Sequence, residues 1–259
     1  MLPAAPVATL PSLVAGGVID ASTAALTWLM LERGVPALIA GPDRTVATAL
    51  LDALVEALPP VRRPDPVGGG GGDRLVRVAG CLEIATPPGI LRAALAATSG
   101  RSGLALAIAA DDLAGVLAVL QGQGLSDDEI SFMGMVLVVD RRAEAGGEPR
   151  VTSAHYLRPL VRDAGGHPRR QRPAVLATWV PGDDQWEDFA WGIGPDLAER
   201  CRMRAGDFEA ERERRATLLA GYAPAGHGHA GHGHAGHGHA GHGHAGHGPA
   251  GHADHGPVG

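Results

Sequence analysis

The chain has 259 residues, 28 Asp plus Glu against 22 basic residues that are all Arg, and a formal net charge of -6 at pH 7. That balance argues against a nucleic-acid binder working by bulk electrostatics, and the absence of any run of 18 apolar residues excludes a spanning helix. Two distant cysteines, Cys81 and Cys201, form neither a disulfide framework nor a metal motif, and no basic leader opens the chain, so a reducing, cytoplasmic setting is expected.

In chain order, residues 12–34 contain a helix that Asp20 or Ser22 can cap, with Ala25, Leu26, Leu29 and Met30 at helical spacing and Gly34 as its stop. "VPALIA" (35–40) reads as a short buried strand, and a helix from about Thr48 to Leu58 follows, ended by Pro59 and Pro60. "RRPDPVGGGGGD" (62–73), with its Gly-rich stretch 64–73, is a flexible connector within one domain. Strand character returns in "RLVRVAGCLEI". A short helix over 90–98, a buried strand over 103–110 and a helix over 111–122 come next, the last capped by Asp111 or Asp112. "SDDEIS" reads as a further helical turn. "MGMVLVVD" and "PRVTSAHYLRP" read as a β-hairpin, and "PAVLATWV" as another strand. "DDQWEDFAWG" and the charged stretch that follows read as helical, with a break expected at Gly206.

Strands and helices alternate first and a hairpin comes later. The expected fold is therefore α/β, with a partly parallel sheet flanked by helices and antiparallel strands at one edge. Residues 1–222 form this domain. From Ala223 to Gly259 the chain becomes an "AGHGH" repeat that can bury no core and is expected to be disordered.

Eleven of the 13 histidines lie in that tail: His227, His229, His232, His234, His237, His239, His242, His244, His247, His252 and His255. Paired imidazoles on a Gly-rich chain can wrap many geometries, and imidazole suits Ni²⁺, Zn²⁺ and Cu²⁺. A divalent-metal-binding tail is expected, with many overlapping sites rather than one.

The other chemistry-bearing stretch is "GPDRTVAT" (41–48), between an apolar strand and an amphipathic helix. The phosphate-cradling pattern is G-x-x-x-x-G-K-[ST]. Gly41 and Thr48 match its ends, but Val46 and Ala47 stand at its glycine and lysine. A β-branched residue resists the close backbone approach that phosphate needs. Loss of the lysine removes the charge that meets the β and γ phosphates. The residues lean away from hydrolysis, with ATP and Mg²⁺ not expected. Gly41, Thr45 and Thr48 are left as the remnant of a loop. Two other features carry ordinary structural readings: His155 as a strand histidine, and the acidic run Asp183, Asp184, Glu187 and Asp188 beside Trp186 as the first turn of a helix.

From about Leu13 to Arg158 the order of pieces resembles the motor domain of the type II/type IV secretion ATPases, P-loop enzymes of pilus assembly and secretion. The resemblance rests on "LVAGGVIDASTAALTWLMLERGVPALIAGPDRTVATALLDAL", on "GRSGLALAIAADDLAGVLAVL" and on "GMVLVVDRR…RVTSAHYLRP". It implies a P-loop NTPase-like fold, with Glu83 as the remnant of the Walker B acid. Ala107 and Ala109 stand where that family has the Thr and His of its T-x-H-A box. The reading implied is a catalytically inactive secretion-ATPase-like protein with a structural or regulatory role. Its partner would be an active secretion-type ATPase or other protein subunits, and an oligomer is open. Two alternatives stand beside it: a Ni²⁺ or Zn²⁺ storage or delivery protein, and a residual ATP-binding motor of a secretion or pilus system.

Overall fold

Thr9 and Ser12 cap each other's backbone amides to open helix α1 (Leu10–Ala15). Asp20 accepts from the amides of Ser22 and Thr23 at the head of α2 (Ala21–Glu32). Of the two caps the sequence allows for α2, Asp20 is the one used. Strand β1 (Ala37–Ala40) follows, then α3 (Arg44–Glu56), which begins four residues before the expected start because Asp43 caps it. The computed structural model describes residues 8–64, 74–98, 103–141 and 147–222, all within the unit Met1–His229. Most of the Gly-rich connector and the whole of 223–259 lie outside the described residues.

The remaining elements are β2 (Val76–Leu82), α4 (Ile90–Ala97), β3 (Leu104–Ile108), α5 (Leu113–Gly122), α6 (Asp127–Phe132), β4 (Met135–Arg141) and β5 (Pro149–Tyr156). A small ribbon β6 (Val161–Arg162) and β7 (Pro168–Arg169) precedes β8 (Ala174–Val180) and β9 (Gln185–Asp188). A 3-10 turn at Ala190–Ile193, α7 (Gly194–Arg200) and α8 (Ala205–Ala220) complete the described chain.

The main sheet has seven strands in the order β2-β3-β1-β4-β5-β8-β9. The first four run parallel, with Ala37 opposite both Ala105 and Met135. From β4 onward the pairing is antiparallel. The fold is thus mixed α/β, with a parallel half that carries the helical crossovers and an antiparallel half built from hairpins.

β1 is buried along its whole length, and its alternating side chains feed two cores. Ala37 and Ile39 join α1, α2, α3 and α8 on one face, while Leu38 and Ala40 join α4, α5 and α6 on the other. Helix α2 is buried on nearly all sides because α8 covers it from outside. Arg215 of α8 is buried and reaches Glu32 of α2 over 2.8 Å. Its guanidinium also stacks on Trp28, 4.3 Å from the ring centre.

Two sequence expectations are corrected here. "DDQWEDF" is not helical: it turns at Pro181–Asp184 and forms the edge strand β9, because Trp186 pairs with Trp179 and donates its Nε1 to the Val151 carbonyl at 2.8 Å. Gly206 does not break a helix but lies inside α8; the break falls at Arg202, whose φ is 55°. There the amides of Arg202 and Met203 return to the carbonyls of Glu199 and Ala198, closing the end of α7.

Candidate functional site

Helix α3 packs its Leu50, Leu51 and Leu54 on one face of the sheet, and α5 packs Val116, Val119 and Leu120 on the other. β1 and β3, the strands that feed them, are neighbours. Their carboxyl ends therefore flank the point where successive helices change face, which is where open α/β sheets place ligands. "GPDRTVAT" opens directly onto this edge, with Ala109–Asp112 beside it.

The local geometry gives this loop another task. Only Gly41, Pro42 and Asp43 separate β1 from α3. Gly41 is buried, and a Cβ on it would come within 2.5 Å of the Val139 carbonyl oxygen. Its need for glycine is thus explained by close passage against β4. One carboxylate oxygen of Asp43 accepts from the amides of Thr45 at 2.9 Å and Val46 at 3.3 Å. Its other oxygen takes Arg141 Nε at 3.0 Å. The guanidinium of Arg141, then those amides, hold the Asp43 carboxyl below its ordinary pKa. The amides that a phosphate would use at a helix N-terminus are therefore occupied by the chain's own carboxylate.

The other remnant positions follow from the early helix start. Thr45 lies exposed in the first turn of α3, whereas Thr48 lies half-buried in the second. Ala47, at the lysine position, has no exposed surface and belongs to the core under α3. Glu83, just beyond β2, does come to the same edge. It meets Arg44 at 2.5 Å, so the structure joins Glu83 to the loop by an ion pair with the first residue of α3. Asp112 caps α5 through the Gly115 amide at 2.7 Å. Among the described residues, the edge carries Asp43, Glu83, Asp111, Asp112 and Asp140 against Arg44 and Arg141, an acidic balance.

Asp43, Arg44, Asp140 and Arg141 are the members of this edge that sequence reasoning missed. A signal was present, since Pro-Asp before an amphipathic run is a helix start. It was outweighed by the partial match of the phosphate-loop pattern ending at Thr48.

The remaining candidates make local contacts. His155 Nε2 lies 2.9 Å from Ser153 Oγ, and burial lowers its pKa. Asp184 accepts from Trp179 Nε1 at 3.0 Å. Asp188 accepts from Ser22 at 2.8 Å and pairs with Arg212, tying β9 to α2 and α8. Cys201 is buried, and burial pushes its thiol up to about 12. Among the described residues no cluster of three or more His, Cys, Asp or Glu is placed to hold a metal, and no helix is long and apolar enough to cross a membrane. The eleven tail histidines lie outside the described residues.

The chain matches no protein-family model and no curated protein.

Proposed function

We propose that the chain is a non-hydrolysing α/β protein of structural or regulatory role, built on a secretion-ATPase-like plan, which binds Ni²⁺, Zn²⁺ or Cu²⁺ through its C-terminal histidines. The observation that carries this reading is the Asp43 carboxylate on the amides of Thr45 and Val46. A phosphate loop works by offering such amides to an anion. Here an internal anion already accepts from them, and the loop between strand and helix has only three residues. The acidic edge around it would repel a polyphosphate. The strand-loop-helix order at the face-changing point of the sheet supports kinship with the P-loop plan, and an active secretion-type ATPase is the partner this reading favours.

A second reading, metal storage or delivery, is favoured by the eleven histidines of the tail. In that case the α/β domain is a carrier and the tail holds the function.

Purified full-length protein, given Mg²⁺ and ATP, should show neither turnover above background nor saturable nucleotide binding by calorimetry. Magnesium-dependent turnover abolished by Thr48→Ala would overturn the non-hydrolysing reading. Metal capacity that vanishes with the tail, with no effect on any protein partner, would favour the second.

A further inference from the structure

At the opposite edge of the sheet, level with the amino ends of the parallel strands, the antiparallel half of the molecule carries a cavity of about 470 Å³ between the end of β5, the segment leading into β6, and α7. Its size falls in the range of small-molecule sites. Tyr156, Arg158, Gln171, Asp196, Arg200 and Arg202 supply its polar lining, with Glu199 on the same helix and Pro159, Leu160 and Val161 as an apolar lip.

Three features single this cavity out. First, Tyr156 is 1% exposed, and no hydrogen-bond partner among the described residues reaches its hydroxyl. Second, the Nε of Arg158 is buried with no hydrogen-bond partner among the described residues, and its Nη2 stands 4.0 Å from Asp196, at the limit of an ion pair. The Tyr156 hydroxyl and the Arg158 guanidinium thus line one cavity with donor capacity that the fold does not fully use. Third, Arg202 occupies the left-handed position that closes α7, where glycine is the unstrained choice. Its guanidinium makes no ion pair among the described residues. A charged side chain is thus held at the mouth in a backbone conformation that disfavours it.

The third arginine is positioned rather than free. Arg200 donates Nη2 to the Phe132 carbonyl at 2.8 Å and lies over the Phe132 ring, 4.8 Å from its centre. That leaves its charge fixed at the wall. Against the three guanidiniums stand Asp196 and Glu199, so the lining is net cationic even though the whole chain is net acidic.

We infer that this cavity binds a small organic oxyanion, a carboxylate or a phosphate monoester. The anion would be met by Arg158, Arg202 and the Tyr156 hydroxyl, and the organic body would lie against Pro159, Leu160 and Val161. Guanidinium forks match both oxyanions, and a phenolic O–H adds a third donor. This site is separate from the Gly41–Thr48 edge and does not depend on the reading given to that edge.

The test is calorimetric titration of the full chain with phenyl phosphate, benzoate and inorganic phosphate in low salt, in parallel with thermal melts. Saturable binding of phenyl phosphate or benzoate, at least tenfold tighter than inorganic phosphate, is expected, and the tighter of the two names the headgroup. Arg202→Gly is the decisive variant. It removes the charge but relieves the left-handed backbone, so it should melt higher than the parent while binding at least tenfold more weakly. Tyr156→Phe should keep the melt and lose several-fold in affinity. No saturable binding of either aromatic anion, or parent affinity in both Arg202→Gly and Tyr156→Phe, would overturn the inference.

Discussion

Arg141 at the end of β4 donates to Asp43 at the head of α3 over 3.0 Å, and Asp43 in turn accepts from the first-turn amides of that helix. A strand terminus, a loop and a helix start are thereby locked through one carboxylate. Asp43→Ala should lower the melting temperature by about 3 °C, from loss of a helix cap. The effect has a pH signature. The Asp43 pKa is lowered in the folded protein, so its stabilisation is present above the ordinary carboxylate range and is lost as pH falls through the folded value. The melting gap between parent and Asp43→Asn should therefore close below about pH 4. A gap that widens in acid would contradict the assignment.

Restoring the missing phosphate-loop residues should fail. Ala47 has no exposed surface, so Val46→Gly with Ala47→Lys puts an ammonium into the core under α3. The double variant should lose about 3 kcal/mol or more of stability, from burial of an unpaired charge. It should gain no nucleotide binding. Urea unfolding read by circular dichroism, with calorimetry against ATP, checks both statements. A stable variant that binds ATP would mean that the loop can still open into a cradle.

Two glycines should respond with opposite signs. A methyl group on Gly41 would meet the Val139 carbonyl at 2.5 Å, so Gly41→Ala should cost about 1–3 kcal/mol through overpacking. Gly206 lies inside α8 with no atom near the site of an added Cβ, so Gly206→Ala should stabilise by about 0.5–1 kcal/mol. Paired urea melts decide; destabilisation by Gly206→Ala would restore the helix break that the sequence suggests there.

The ion pair between Glu32 and Arg215 joins the buried helix α2 to its cover α8. The Arg215 side chain is 5% exposed and also takes Glu211 at 2.7 Å. Arg215→Ala should cost about 3–5 kcal/mol, because it leaves a half-buried carboxylate unpaired and removes the packing on Trp28. Replacing both partners, Glu32→Met with Arg215→Met, should recover most of the loss. A small effect of the single change in a chemical melt would show that α8 is held mainly by its apolar residues.

Metal uptake by the tail should follow the protonation of imidazole. Only the neutral ring is a ligand, so Ni²⁺ or Zn²⁺ should be held at pH ~7.5 and released below about pH 6. A chain ending at Tyr222 should lose the high-capacity binding and keep its melting temperature, because among the described residues the two cores extend no further than Leu219. Equal metal stoichiometry for the full and shortened chains would show that the histidines are not the binding element.

The sequence by itself determined the order of elements from α2 to β5 and the burial of β1. Those depend on local periodicity: an unbroken apolar run at "ALIA", helical spacing at Leu50, Leu51 and Leu54, and caps such as Asp20 and Asp112. It also marked the histidine repeat, since composition needs no fold to be read. Only the tertiary structure decided what the charged residues do. Arg141 reaches Asp43 from 98 positions away, Arg215 reaches Glu32 from 183, and no local pattern encodes such distances. The edge strand at "QWED" was decided the same way, by Trp179 and Val151 rather than by the acidic residues that mimic a helix start. The Tyr156–Arg202 cavity is the extreme case. Its walls come from the end of a strand, a loop and the closing turn of α7, brought together by packing that no single stretch of the chain contains.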